Sequence, residues 1–78
     1  MDTTRMTEVW SEVLDRPVGP DDDFFLDIAG SSLQAVQIVV ALEDELGVEV
    51  GIRAFFDHAT PASLVAFLGT SVGDGVAI

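Results

Sequence analysis

The sequence predicts an all-α fold, a small bundle of three main helices plus one short helix. Apolar residues recur at helical spacing in three stretches, and each stretch ends at a proline or a glycine. The 78 residues give room for one domain, and the chain has no cysteine for disulfides or thiolate metal sites. Packing must therefore hold the fold, and 49% hydrophobic residues supply the core.

The first helix is predicted over residues 3–15. Its apolar residues fall at positions i, i+3, i+4 and i+7: Met6, Val9, Trp10 and Val13. Pro17 prevents its continuation because proline lacks an N–H and restricts the residue before it. Trp10 is interpreted as a core residue rather than a ligand-stacking one.

The second helix is predicted from Ser31 or Ser32 to about Leu46, with Gly47 ending it. Its apolar residues cover more than the single face a core needs: Leu33, Val36, Ile38, Val39, Val40, Leu42 and Leu46. Two interpretations stay open. Part of this surface contacts a partner, or the helix is buried on two sides.

The C-terminal part is predicted to hold a short helix and a last main helix. The short helix spans residues 52–57, with Phe55 and Phe56 facing inward. Thr60 is then an N-cap and Pro61 a first helical residue, and the last helix runs to Leu68. Gly69 is expected to end it, and residues 70–78 are predicted to form a flexible tail.

A long connection, residues 16–31, joins the first two helices, and loops of this length are often functional. Phe24 and Phe25 are expected to pin it to the core. The run Asp21–Asp23 lacks the alternating ligand spacing of a calcium loop and indicates a solvated turn or the N-cap of a helical turn. Ala29–Gly30 offers a low-bulk surface that another protein's backbone can approach.

Two adjacent serines begin the second helix and have different expected roles. Ser31 and Gln34 fit a capping box, in which the serine hydroxyl accepts a hydrogen bond from the Gln34 N–H. Ser32 is then the first helical residue, with a free hydroxyl near the positive end of the helix dipole, which favours phosphate. From these residues alone, two serines that merely start a helix are the simpler interpretation.

The stretch from Asp22 to Val36 resembles the signature D-D-D-F-F-x-D-L-G-G-x-S-L of phosphopantetheine-dependent carrier proteins. Aligned on L-G-G-x-S-L is the segment Ile28-Ala29-Gly30-Ser31-Ser32-Leu33. The resemblance continues to Glu45-Leu46-Gly47-Val48-Glu49-Val50. The family's L-F-E-H-P-T element is similar to the segment Phe55-Phe56-Asp57-His58-Ala59-Thr60. The likeness therefore extends from the first helix to Gly69.

The resemblance is closest to peptidyl carriers of nonribosomal peptide synthesis, including antibiotic biosynthesis. It implies an acyl-carrier-protein-like four-helix bundle, with a carrier domain over residues 1–69 and covalent 4′-phosphopantetheine from coenzyme A on Ser32. Implied partners are a phosphopantetheinyl transferase, an adenylating loading enzyme, and downstream condensation, tailoring or thioesterase enzymes. Ala29 replaces the usual first Gly of the signature, and Ser31 replaces the Asp, His or Asn usual at its variable position, which leaves open which transferase modifies the chain.

Candidate partner-binding residues lie along the second helix. Leu33, Val36 and Val40 form an apolar row beyond Ser32, although burial against the last helix is an alternative. Glu43 and Asp44 lie where negative charge opposes the helix dipole, which indicates either a solvated face or docking against basic partners. His58, the only histidine, is interpreted as a helix-terminus residue, and no catalytic residue or metal ligand is predicted.

The charge limits the classes of partner. A net charge of −11 repels nucleic acids and anionic lipids, so neither is expected to bind. No apolar run is long enough to span a bilayer, and the N-terminus lacks secretion-signal features, so a cytoplasmic monomer is expected. Met1 and the short tail favour a free-standing protein. An acyl carrier for polyketide or fatty-acyl chains and an unmodified acidic helical adaptor are the alternatives.

Overall fold

The computed structural model describes the backbone of residues 2–77 and the side chains of residues 2–69. Within this part the chain forms four helices: α1 (Thr3–Leu14), α2 (Ser32–Leu46), α3 (Ile52–Asp57) and α4 (Pro61–Ala77). α1 packs against α2 and α4, while α3 packs against α2. The described residues include no helix that is both long and apolar enough to cross a membrane. The prediction of an all-α bundle with one short helix is confirmed.

Local capping explains where α1 begins and ends. The Asp2 side chain accepts a hydrogen bond from the Thr4 N–H at 3.1 Å, which satisfies one free donor of the first turn. The helix ends at Leu14, one residue before the predicted end, and Asp15 then adopts a left-handed conformation with φ of 54°. Pro17 lies beyond this cap, where no helical hydrogen bond is required of it.

α4 is longer than its sequence predicts. The helix continues to Ala77 instead of ending at Leu68, so the interpretation of Gly69 as a stop is wrong. Glycine costs about 1 kcal/mol relative to alanine inside a helix, but it keeps its backbone N–H and so does not interrupt the hydrogen-bond ladder. The predicted flexible tail, residues 70–78, falls outside the residues whose side chains are described, and it stays a prediction.

The start of α4 agrees with the sequence. Pro61 is its first residue, and the Thr60 hydroxyl accepts a hydrogen bond from the Ser63 N–H at 3.1 Å. Proline is tolerated at this position because its missing N–H would have no partner in the first turn. Thr60 therefore fixes the end of the α3–α4 connection, which lies beside the segment preceding α2.

An aromatic cluster forms the centre of the core. The Trp10 ring centroid lies 6.0 Å from that of Phe24 and 5.1 Å from that of Phe55, and the two phenylalanine rings are 5.0 Å apart. All three side chains are fully buried, which confirms Trp10 as a core residue. Around them pack the buried aliphatic and methionine side chains Met6, Val9, Leu14, Ile28, Ala35, Ile38, Leu42, Val50 and Leu64.

Each Phe-Phe pair has one buried ring and one partly exposed ring. Phe24 and Phe55 are fully buried, whereas Phe25 is 46% exposed and Phe56 is 37% exposed. The prediction that Phe56 faces inward is therefore wrong, because successive helical residues point about 100° apart and only one can face the core. The two outer rings contact each other, with centroids 5.4 Å apart.

Candidate functional site

Phe24 ties the connection before α2 to the rest of the fold. Its backbone N–H donates to the Ala59 carbonyl in the α3–α4 connection at 2.7 Å. Its own carbonyl accepts from the Gly30 N–H at 2.8 Å. The ring lies in the aromatic cluster, so one residue joins the core, the α3–α4 connection and the segment that leads into α2. The prediction that the phenylalanine pair pins this connection is confirmed for Phe24.

The aspartate run caps a short helical turn, one of the two forms predicted for it. The Asp23 carboxylate accepts hydrogen bonds from the N–H groups of Phe25 and Leu26, at 2.8 and 2.9 Å. The Asp27 carboxylate accepts from the Asp23 N–H at 2.8 Å, which closes the turn from the other side. These carboxylates thus satisfy backbone donors that the irregular chain leaves free.

The residues before the serines are restricted in two different ways. Ala29 has φ of 56°, a left-handed conformation that costs a non-glycine residue about 1–2 kcal/mol. Gly30 lies against the Phe24 ring, and a Cβ on Gly30 would fall 2.2 Å from Phe24 Cζ. The close approach at Gly30 is therefore to a side chain of the same molecule, whereas the sequence predicted an approach by another protein.

The capping box at the start of α2 is formed as predicted. Ser31 Oγ accepts from the Gln34 N–H at 3.2 Å, and Gln34 Oε1 accepts from the Ser31 N–H at 2.9 Å. Ser32 is the first residue of the helix and its side chain is exposed. Within residues 2–69 its hydroxyl makes no hydrogen bond, so the two serines differ chemically: the Ser31 hydroxyl is occupied and the Ser32 hydroxyl is free.

The electrostatic surroundings of Ser32 favour an attached anion. The first turn of α2 contains no acidic residue, although the whole chain carries a net charge of −11. Free N–H groups and the positive end of the helix dipole stabilise a phosphate at this position. Ser32 thus combines an accessible hydroxyl with a local environment that accepts a phosphodiester.

An exposed apolar surface lies next to Ser32. Leu33 is 67% exposed, Val36 48% and Val40 52%, and their spacing places them along one face of α2. The opposite side of the helix is buried through Ala35, Ile38 and Leu42. Of the two interpretations of the wide apolar set, burial on two sides therefore does not apply to the three predicted partner residues.

The connection contributes further apolar residues that the sequence reasoning missed. Leu26 is 85% exposed, and the outer rings of Phe25 and Phe56 lie in contact with each other. Hydrophobicity alone gave no signal for them, because a leucine or phenylalanine near the core is normally assigned to it. These exposed apolar side chains lie in the short turn before α2 and on α3, outside α2 itself.

The C-terminal end of α2 has the opposite electrostatic character. Glu43, Asp44 and Glu45 are exposed, and the last turn contains no basic residue. The pKa of Glu45 is raised above its ordinary value because it loses water at the interface with α1 and because Glu12 lies beside it. A shallow groove of about 440 Å³ between α1 and α2 is lined by Glu12 and Glu45, together with Arg5 and Glu8.

His58 ends α3 and helps to join it to α4. Its backbone N–H donates to the Ala54 carbonyl at 3.0 Å, and its Nδ1 lies 3.3 Å from Ser63 Oγ. The imidazole stacks on Phe67 with ring centroids 4.4 Å apart. The interpretation of His58 as a helix-terminus residue is confirmed.

A comparison with protein-family models gives the context for this geometry. The model described as "Phosphopantetheine attachment site" matches residues 4–68. The chain belongs to this family. Members carry 4′-phosphopantetheine as a covalently attached group and act as carriers rather than as enzymes. The extent of the match agrees with the resemblance predicted from the first helix to Gly69.

Curated relatives place the carrier domain among peptide synthetases. The chain is 41% identical over 68 residues to tyrocidine synthase 3 of Brevibacillus parabrevis, covering 86% of the chain and 1% of that protein. It is 44% identical over 61 residues to a probable non-canonical nonribosomal peptide synthetase of Salinispora arenicola, covering 77% and 1%. For surfactin synthase subunit 3 of Bacillus subtilis the identity is 35% over 72 residues, covering 91% and 6%. The carrier domain thus spans only a small fraction of each relative's length.

A solved structure confirms the predicted acyl-carrier-protein-like fold. The type-II acyl-carrier protein from Streptomyces verticillus that is involved in bleomycin biosynthesis superposes with a TM-score of 0.79 at 27% identity. The superposition covers 90% of this chain and 84% of that one. Its similar length contrasts with the long synthetases, of which the chain covers 1–6%.

Proposed function

We propose that this carrier domain is a peptidyl carrier in which Ser32 bears the 4′-phosphopantetheine group. The observation that carries the proposal is the difference between the two serines. Ser31 is engaged in the capping box, while Ser32 is exposed, makes no hydrogen bond in the described part of the chain and begins a helix. The resemblance to the signature L-G-G-x-S-L also aligns the attachment serine with Ser32.

Ser32 fits the attachment chemistry. Its Oγ forms a bond to the phosphorus of coenzyme A that carries the pantetheine, while the bond from that phosphorus to the adenosine-bearing phosphate breaks. The hydroxyl proton passes to a base that the phosphopantetheinyl transferase supplies, since no acid or base of this chain bonds to Ser32 in residues 2–69. Once attached, the group supplies a terminal thiol that holds the cargo as a thioester.

The cargo proposed here is an aminoacyl or peptidyl group. The relatives' names as peptide synthetases support this, together with the Phe-Phe pair before the serine that resembles peptidyl carriers. An adenylating enzyme loads the thiol, and condensation, tailoring or thioesterase enzymes act on the bound intermediate. A tether of this kind raises the effective concentration of its cargo near each partner. A cytoplasmic location remains part of this proposal.

Partner enzymes are proposed to contact the surface around Ser32. The apolar row Leu33, Val36 and Val40 supplies exposed area that a partner can bury. Glu43 and Asp44, farther along α2, attract basic partner surfaces and increase the rate of encounter. Because the carrier must release each partner in turn, a modest apolar area with charge steering suits a transient contact.

The site assignment is tested by intact mass after incubation with coenzyme A, Mg²⁺ and a broad-specificity phosphopantetheinyl transferase. The wild-type chain is expected to gain one phosphopantetheinyl group. Ser32→Ala is expected to gain none, while Ser31→Ala, the matched control, is expected to gain one. A gain that survives Ser32→Ala contradicts the assignment.

A second candidate function is an acyl carrier for polyketide or fatty-acyl chains, which the structural similarity to a type-II acyl-carrier protein favours. Loading assays on the phosphopantetheinylated chain distinguish the peptidyl from the acyl carrier function. The chain is offered either amino acids with ATP and adenylating enzymes, or acyl thioesters with acyltransferases, and thioester formation is measured by mass. Loading by acyltransferases alone contradicts the peptidyl assignment.

A further inference from the structure

Gly30 lies against a ring that has no room to move. A Cβ at this position would be 2.2 Å from Phe24 Cζ, 2.4 Å from Cε1 and 2.7 Å from Cε2. Phe24 is fully buried, and Trp10 and Phe55 pack against its ring. Gly30 itself has no left-handed φ, so the ring and not the backbone angle excludes a side chain here.

The backbone holds the same two residues together. The Gly30 N–H donates to the Phe24 carbonyl at 2.8 Å, and the Phe24 N–H donates to the Ala59 carbonyl at 2.7 Å. The seven residues from Phe24 to Gly30 therefore form a closed loop whose two ends lie on the core. Gly30 is fixed relative to the core by its own backbone and by the ring beneath it.

Only Ser31 separates Gly30 from the attachment serine. Ser31 has an extended backbone, with φ of −92° and ψ of 166°, and the capping box fixes both its N–H and its hydroxyl. A residue contributes at most about 3.6 Å of reach, so this short and constrained link transmits a displacement of Gly30 to Ser32 with little loss.

We propose that the Phe24–Gly30 contact positions Ser32 for phosphopantetheinyl transfer, an inference that rests on the proposed function. Phe24 is a positioning residue that acts from inside the core, through Gly30 and Ser31, on where the Ser32 hydroxyl lies. A reacting atom displaced by about 1 Å reduces a reaction rate by about 100-fold. A side chain at Gly30, which lifts the segment off the ring, therefore impairs modification without touching the transferase.

A compensating pair of substitutions tests this positioning role. The three atoms nearest to the added Cβ are Cζ, Cε1 and Cε2 of Phe24, and leucine lacks all three. We expect Gly30→Ala to reduce kcat/KM of the transferase reaction by about 10- to 100-fold. In Gly30→Ala/Phe24→Leu, most of this loss is regained because the Cβ then has space. Gly69→Ala is the matched control, since nothing lies within 4 Å of a Cβ there, and it is expected to keep the wild-type kcat/KM.

Stability is measured in parallel, by denaturant unfolding of the same variants. Phe24→Leu removes buried aromatic area, so the double variant is expected to be less stable than wild type while its kcat/KM recovers. A purely structural role for Phe24 predicts instead that kcat/KM falls further as stability falls. The backbone amide resonance of Ser32 provides a readout without the transferase: it is expected to shift in Gly30→Ala and to return toward wild type in the double variant.

The results separate two failures. If the wild-type chain is modified at Ser32 and Gly30→Ala retains the wild-type kcat/KM, or the double variant is no better than Gly30→Ala, the positioning role is wrong and the proposed function stands. If the wild-type chain is not modified at Ser32, both are wrong. Should Gly30→Ala not fold alone, the double variant is compared with Phe24→Leu. Equal kcat/KM in these two variants supports the positioning role, and a kcat/KM tenfold lower in the double variant than in Phe24→Leu overturns it.

Discussion

Both ends of α2 are capped, but only the C-terminal end places negative charge against the helix dipole. At the start, the capping box supplies acceptors for two backbone N–H groups, those of Ser31 and Gln34, and no acidic residue occupies the first turn. At the end, Gly47 closes the helix in a left-handed conformation with φ of 66°, but Glu43, Asp44 and Glu45 place negative charge against the negative end of the dipole.

The difference indicates what each end is for. Capping and buried anchoring hold the first turn in one geometry, which a covalent attachment point requires. Negative charges in the last turn cost some tenths of a kcal/mol each, so folding stability does not explain them. Their placement supports the proposal that the acidic end takes part in docking, while the neutral end carries the prosthetic group.

The largest expected effect concerns the anchor of the N-terminal end. Phe24→Ala is expected to lower the free energy of unfolding by about 3–5 kcal/mol, since a fully buried ring is lost and a cavity remains. Phe25→Ala, the matched control, is expected to cost less than half as much because its ring is 46% exposed. Urea denaturation of both variants checks the difference, and equal losses contradict the anchoring role.

The next effect separates the two serines. Ser31→Ala is expected to lower the free energy of unfolding by about 1 kcal/mol, because the Gln34 N–H loses its capping acceptor. Ser32→Ala is expected to change it by no more than about 0.5 kcal/mol. The measurement is again urea denaturation, on unmodified protein. An effect of Ser32→Ala as large as that of Ser31→Ala means that the Ser32 hydroxyl is also engaged.

A smaller effect, of opposite sign, is expected at Ala29. Ala29→Gly relieves about 1–2 kcal/mol of left-handed strain and loses about 0.5–1 kcal/mol of chain entropy, for a net gain of about 0–1.5 kcal/mol. Ala66→Gly, in the interior of α4, is expected to lose about 1 kcal/mol instead. Thermal unfolding of both variants checks the signs. A loss in Ala29→Gly contradicts the strain at this position.

The smallest effect belongs to the acidic end of α2 and depends on pH. The pKa of Glu45 is raised above its ordinary value of 4.5, so the folded state binds this proton more tightly than the unfolded state. Stability is then favoured by protonation and falls as the pH rises above 4.5 through the folded-state pKa.

Glu45→Gln removes the loss of stability that accompanies ionisation of this carboxyl. It is expected to raise the urea midpoint at pH 7 and to have little effect well below pH 4.5, where the wild-type carboxyl becomes protonated in both states. Glu49→Gln, outside α2, serves as the exposed control. A difference between Glu45→Gln and wild type that grows toward acid pH contradicts the expected sign.

Features that depend on neighbouring residues along the chain were predictable. The capping box of Ser31 and Gln34 is a pattern over four residues, and the structure forms both of its hydrogen bonds. The bounds of α3 and the start of α4 also agree, since Thr60 and Pro61 act through local backbone geometry. The family signature, likewise a local pattern, gave the carrier class that the family match confirms.

Features that depend on distant residues were predicted incorrectly or not at all. Phe56 was expected inside, but the core accepts only one ring of each Phe-Phe pair, and Phe55 occupies that place. The end of α4 was placed at Gly69 because a glycine does not reveal whether the helix continues beyond it. The exposure of Leu26 depends on how the connection folds over Phe24, which no local pattern contains.

The sequence by itself determined that this chain is a helical carrier domain and that Ser32, not Ser31, is the candidate attachment residue. The helical fold follows from hydrophobic spacing and caps, while the carrier class and the candidate serine follow from the resemblance to the family signature; all of these patterns are local in the sequence. Only the tertiary structure decided how the segment before Ser32 is anchored. Phe24 reaches the core, the α3–α4 connection and Gly30 at once, and such a contact exists only after segments far apart in the chain have packed together.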